Sequence, residues 1–435
     1  MKIILLFLII FSLSACEGRL SPAKNFSQGK RVSVLSFDGN LLPDPKLESV
    51  KVALPRPVEN ENWSQDGGSK SNNMQHLFIA DKPKLLWKTR IGKRSSKKNR
   101  LITNPIIYKN NVYAINSKGF LIAINFNNGK PIWNLNLVPK GIATSTSGGG
   151  MAIEDDIIYI ITGFGFVYAV DYLDGKILWK KNISVPLRGS PTLSEGKVFF
   201  ISILNQTFAL NKNDGGILWV HSGVPETTSF LGGVSPAINN KVLLSPYSSG
   251  EVYALDVDSG KVLWAKKLIH NRSRLSMVKL NDIHSRPIII DNRVYLSGSG
   301  GKLLSVDINS GLDIWSSNFS IISSPWISGE FIYFVTLDNQ LICVEIGSGL
   351  IKWVNQLPIY KNNKKSKNKL MWVGPILVSN RLVLLSSLGV MTAISPYTGK
   401  TLGVTKLSSE AFIEPIIAKG TMIILTDDGN LSAFK

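Results

Sequence analysis

Residues Pro236–Trp264 read PAINNKVLLSPYSSGEVYALDVDSGKVLW, four short apolar runs broken by three turn signals. Pro236-Ala-Ile, Val242-Leu-Leu, Glu251–Asp256 and Val262-Leu-Trp264 are rich in the aliphatic and aromatic residues that fit a pleated, half-buried surface. Between them stand Asn239-Asn240, Ser249-Gly250 and Ser259-Gly260-Lys261, residue types that accept the positive φ of tight turns. The stretch predicts four antiparallel strands joined by short turns.

The unit recurs. Pro105, Gly129 and Trp133 share one spacing with Pro191, Gly215 and Trp219, with Pro236, Gly260 and Trp264, with Pro287, Gly311 and Trp315, and with Pro325, Gly349 and Trp353. Met151, Gly175 and Trp179 form a further copy with Met in the proline position. Another copy begins at Pro375 and keeps Gly399, but Gly403 stands where the tryptophan falls. A last copy begins at Pro415 and carries no tryptophan. The spacing inside a copy is constant while the gaps between copies vary. That pattern predicts one folded unit per copy with loops on a shared face. Four-stranded units of about 40–45 residues are propeller blades. Leu85-Leu86-Trp87-Lys88 reads as a fourth strand without its own first three. Pairing it with the C-terminal copy closes the ring and removes an open edge. The expectation is an all-β, eight-bladed β-propeller over 81–435, with Trp87, Trp133, Trp179, Trp219, Trp264, Trp315 and Trp353 packed between neighbouring blades.

Composition fits a globular chain, with 44% hydrophobic and 18% charged residues. The formal charge of +19 is compatible with an anionic partner, but drift in a sequence rich in Lys, Asn and Ile is the preferred reading. Of the two cysteines, Cys343 lies in the apolar run Leu341–Val344 and reads as a small core residue. Cys16 reads differently. Lys2 precedes the apolar stretch Ile3–Leu13, which is too short to span a bilayer. It ends in Leu13-Ser14-Ala15-Cys16, similar to the lipobox of bacterial lipoproteins. Residues 1–15 are expected to be a signal peptide and Cys16 the acylated residue. Glu17 in place of Asp points to the outer membrane. Residues 16–80, irregular and holding Pro43, Pro45, Pro55 and Pro57, are expected to be a lipidated tether.

The strings Ala254–Trp264 (ALDVDSGKVLW) and Ala169–Trp179 (AVDYLDGKILW) resemble the tryptophan-docking motif of quinoprotein-type propeller repeats. A lipoprotein with eight such blades is similar to the BamB family, accessory lipoproteins of the machinery that inserts β-barrels into the outer membrane. Asn62-Trp63-Ser-Gln65-Asp-Gly67-Gly68 also looks like that family's entry segment. The resemblance implies a scaffold without catalytic activity, bound by its lipid to the periplasmic face of the outer membrane. It also implies a monomer within a hetero-complex, docked on the POTRA domains of a BamA-like barrel protein. Leu187-Arg188-Gly189, just before Pro191, matches one docking loop of the family, and Val185 matches its other apolar position. Asp282 matches the first acid of a second loop, where His284 replaces the second. Arginine beside an apolar anchor suits a binding hot spot. The alternative is that Leu187 packs under its own blade.

Enzymes on the same repeat need a quinone, a cation held by oxygen ligands and an Asp base. The repeat acids Asp171, Asp256 and Asp307 recur at one blade position, which fits turn chemistry better than a single active site. Adjacent cysteines are absent, and His76, His221, His270 and His284 show no metal spacing. No cofactor and no metal are expected. The alternative is a quinone-dependent or small-ligand-binding periplasmic propeller. Thr144–Gly150 resembles a phosphate loop only in composition. Basic runs at Lys88–Arg100 and Lys361–Lys369 fall between units, where they can face anionic lipid or acidic protein. A nucleic-acid role conflicts with the export signal.

Overall fold

A computed structural model of the chain describes residues 41–96, 100–142, 148–226, 233–268, 283, 285–321, 323–362 and 367–435. The compact unit is Leu42–Lys435. It is an eight-bladed propeller in which every blade is a four-stranded antiparallel sheet. Blades 1 to 7 follow in chain order. Their first strands begin at Ile106, Gly149, Leu187, Ala237, Ile288, Trp326 and Trp372. Blade 8 joins Ile416–Ala418, Thr421–Leu425 and Asn430–Phe434 to Leu85–Arg90 from the other end of the chain. Trp87 pairs with Ala433 and Thr89 with Leu431, so the expected closing strand is in place.

Burial alternates with depth in the blade. Second and third strands are mostly buried, as in Phe331–Val335 and in Leu341–Val344 of the next strand, while fourth strands such as Pro131–Asn136 alternate exposed and half-buried residues. The turns joining strands one to two and three to four lie on one side of the disc, here the turn face. The turns joining strands two to three and the inter-blade loops lie on the other, the loop face. Cys343 is fully buried, as its apolar context predicts. Part of the second basic run forms a small hairpin, Tyr360–Asn362 with Lys367–Lys369, where a loop was expected.

Of the stretch 16–80 expected to be a tether, residues 16–40 lie outside the described residues, while Asp44–Ala80 packs on the propeller instead of hanging free. Pro45–Leu47 is a 3-10 turn capped by Asp44, whose N–H donates to Ile351 O at 2.8 Å. The chain then crosses the turn face and enters the ring, where Trp63, Leu77 and Ile79 join the core. The physical reason is the inner strands. Their channel-facing N–H and C=O groups need partners, and a buried backbone group without one is costly. Residues 60–77 supply those partners.

Candidate partner-binding surface and the sealed axis

The segment 60–77 circles the axis and meets the blades in order. Asn60 O accepts from Lys419 N–H of blade 8, and Trp63 exchanges two backbone bonds with Ile107 of blade 1. Ser64 O accepts from Ile153 of blade 2, and Lys70 Nζ reaches Ser194 Oγ of blade 3. Lys70 O and Ser71 O accept from Ile238 and Ile289 of blades 4 and 5. Gln75 O accepts from the indole of Trp326 in blade 6 at 2.6 Å, and Leu77 bonds Leu377 and Ser379 of blade 7. Gly67 and Gly68 make the bend that keeps this path on the axis. Their φ values are 74° and 81°, and a Cβ on Gly67 would stand 2.4 Å from Asn72 Oδ1.

At the centre lies a buried ion network. Arg286 Nη1 donates to Asp66 Oδ1 at 2.8 Å and Nη2 to Glu414 Oε2 at 2.6 Å. Asp66 also accepts from Asn104 Nδ2 and from Ser235 Oγ. Burial works to lower the Arg286 pKa, but Asp66 and Glu414 outweigh it and hold the guanidinium above its ordinary range. Asn104, Ser235, Arg286 and Glu414 each precede the repeat proline of their blade. That position lines the axis in every copy, so comparing it across the copies would have revealed the network. Its members are distant in the chain and of different types, so no local pattern marks them.

These residues do not fit a quinone and its cation. The axis is filled by the chain's own segment, and the two carboxylates there are bound to an arginine. Among the described residues no group of three or more His, Cys, Asp and Glu could hold a metal ion.

The tryptophans build the blade seams. The indoles of Trp87, Trp133, Trp179 and Trp219 donate to Phe126 O, Tyr172 O, Lys212 O and Val257 O of the next blade. Trp264, Trp315 and Trp353 do the same to Ile308 O, Ile346 O and Pro396 O. Each ring lies against the repeat glycine of that next blade. A Cβ on Gly175 or Gly399 would stand 2.7 Å from the Trp133 or Trp353 ring, which is why the position is glycine.

The expected docking residues fall in different environments. Val185 is half-buried on the loop face. Leu187 and Arg188 open the first strand of blade 3, pair with Ser202 and Ile201, and are only 1% and 6% exposed. Leu187 packs with Tyr159, Phe200 and Phe208. Gly189 closes against Val234, where a Cβ would stand 2.6 Å from the carbonyl oxygen. Leu187 and Arg188 therefore belong to the interior of this corner, with Leu187 packed beneath its own blade. The cause is that this inner strand starts before the repeat proline. The exposed apolar side chains of the corner are Ile203 and Leu204 on the neighbouring turn, where Ile203 N–H donates to Pro186 O at 3.0 Å. Their sequence, Ile203-Leu204-Asn205 in a turn between two strands, carries no signal of exposure. Cys16, Asp282 and His284 lie outside the described residues. In the first basic run, Arg94 is paired with Glu410 and Asp427 of blade 8.

An eight-bladed ring locked by tryptophan docking, with its axis sealed from within, places the chain among the quinoprotein-type repeat propellers. The model of the family described as outer membrane protein assembly factor BamB matches residues 121–355, and the chain belongs to that family. BamB of Yersinia pestis is 22% identical over 358 residues, which cover 81% of this chain and 88% of that relative. The crystal structure of BamB from Moraxella catarrhalis superposes with a TM-score of 0.67 at 16% identity, covering 81% of this chain and 99% of the other. A quinohemoprotein alcohol dehydrogenase from Comamonas testosteroni superposes with a TM-score of 0.67 at 13% identity, covering 87% and 81%. The last likeness is one of fold.

Proposed function

We propose that the chain is a non-enzymatic scaffold of the machinery that assembles β-barrels in the outer membrane. In this reading it is held at the periplasmic face by acyl chains on Cys16 and docks through its loop face on the POTRA domains of a BamA-like barrel protein. Family membership supports the assembly role. The filled axis is the observation that supports scaffold over enzyme, because Asp66, Arg286 and Glu414 are bonded to one another there. A disc whose axis is filled by its own segment 60–77 offers its loops and rim, which is the equipment of a binding protein. The blade 3 corner, with Val185, Ile203 and Leu204 at the surface and Leu187 and Arg188 beneath, is the proposed docking site, together with the loop that carries Asp282.

Affinity capture from detergent-solubilised envelopes tests this. Ile203→Glu/Leu204→Glu is expected to abolish recovery of a POTRA-containing protein with an unchanged melting temperature. Leu187→Ala is expected to cost about 2–5 kcal/mol of stability, the usual range for a buried leucine. A folded, lipidated wild type that recovers no such protein refutes the reading. Capture that survives the surface double variant moves docking away from this corner.

A further inference from the structure

Seven of the eight seams follow one template, an indole seated on the next blade's glycine. The seam between blades 7 and 8 departs from it. Across strands four, three and two, blade 1 reads Trp133–Ala123–Tyr113 and blade 2 reads Trp179–Ala169–Tyr159. In blade 7 the same row reads Gly403–Ala393–Val383. Two aromatic side chains are missing from one row. A groove of about 530 Å³ stands in their place, lined by Val383, Ala393 and Gly403 of blade 7 and by Met422, Phe434 and Leu85 of blade 8. No heavy atom lies within 4 Å of the point where a Gly403 Cβ would be.

The edge beside the groove is bare. All six residues of Thr401–Lys406 are exposed, with Leu402 at 57% and Val404 at 61%. The rim is basic: Lys82 and Lys84 stand with Arg381, and Asp81 is already bonded to Arg381 at 2.8 Å. Lys400 and Lys406 bracket the strand.

We infer that this groove seats an aromatic side chain, tryptophan above all, carried on an extended acidic segment of a partner chain. In the other seven blades the row position held here by Gly403 carries a tryptophan. A strand added along Thr401–Lys406 places alternate side chains beside Gly403 on the blade 8 side. An aromatic residue across from an edge glycine folds over it, as in aromatic rescue. The lysines and arginine of the rim select an acidic segment. A second copy is the poorer occupant, since each chain carries a formal charge of +19. The inference stands apart from the assembly reading, because a peptide binds or fails to bind whatever the chain does in the envelope.

The test uses the full chain and a labelled peptide, Glu-Val-Trp-Val-Glu, read by fluorescence anisotropy. Binding is expected to be saturable, weakened by salt, and weakened at least about tenfold by Trp→Ala in the peptide, as for an anchor residue. Gly403→Trp fills the seat from within and is expected to raise the melting temperature and abolish binding. Val383→Tyr fills the groove from strand two and is expected to abolish binding as well, which covers the case of a Gly403→Trp chain that does not fold. Overturning results are a folded wild type that does not bind, binding indifferent to either substitution or to the peptide tryptophan, and a wild-type dimer lost in Gly403→Trp with no affinity for peptide.

Discussion

A guanidinium taken out of water is tolerated only where carboxylates and hydrogen bonds surround it, and Arg286 meets both Asp66 and Glu414. Arg286→Met strands two carboxylates in the axis and is expected to lose about 3–5 kcal/mol in urea unfolding, the range for breaking a buried pair. Asp66→Asn added to it is expected to cost less than the sum of the single changes, since the network acts as a unit. His76 carries a pH dependence. Its Nε2 accepts from Asn380 N–H at 2.9 Å, so Nδ1 holds the proton and donates it to Pro55 O at 2.6 Å. Burial lowers its pKa below 6.5, with the Pro55 bond acting in the opposite sense. The folded chain thus binds fewer protons here than the unfolded chain. The stabilising contribution is full above about pH 6.5 and is lost as pH falls through that value toward the folded pKa. His221, half-buried beside Tyr247, is shifted the same way by its burial. Thermal melts from about pH 7 to about pH 5 should show falling stability, less steep in His76→Gln and flattest when His221 is also replaced. Of these side chains the sequence showed only the types. His76 and Asn380 are far apart in the chain, and no local pattern announces their bond.

At the scale of elements, the repeat made the blades legible because proline, glycine and tryptophan keep their spacing for a packing reason. The glycine must admit the ring of the preceding blade, and the strand between them must keep its length. Trp264, 9% exposed and bonded to Ile308 O at 2.7 Å, exemplifies the lock. Trp264→Ala is expected to cost about 3–5 kcal/mol, as for other buried aromatic truncations, and proteolysis is then expected to begin at the blade 4–5 seam. The closing strand was legible for the same reason, since Trp87 carries the mark of a fourth strand. Two elements were not. The axial segment 60–77 has no periodicity, because each of its residues answers to a different blade. The first strands of blades 2, 3 and 7 begin at Gly149, Leu187 and Trp372, ahead of their repeat Met or Pro. That early start turned Leu187 and Arg188 from loop anchors into interior residues, and no residue type in the stretch signals it.

For the whole molecule, the filled axis leaves the loops and the rim as the surfaces on which both proposed binding sites lie. Capture of a POTRA-containing protein through the Ile203 and Leu204 corner, and of a tryptophan peptide at Gly403, are separable outcomes on opposite blades of that disc. The axial segment has one more consequence. It precedes every complete blade in the chain, yet the bonds from Asn60 to Ile417 and Lys419 need the last blade. The closing strand Leu85–Arg90 waits for the same residues. Segments that lie before every complete blade therefore find their place only when residues 416–434 are present. Such distant pairings make folding slow. A chain without residues 416–434 leaves the hub and the closing edge open together, so one loss exposes two surfaces that the complete ring hides from other chains.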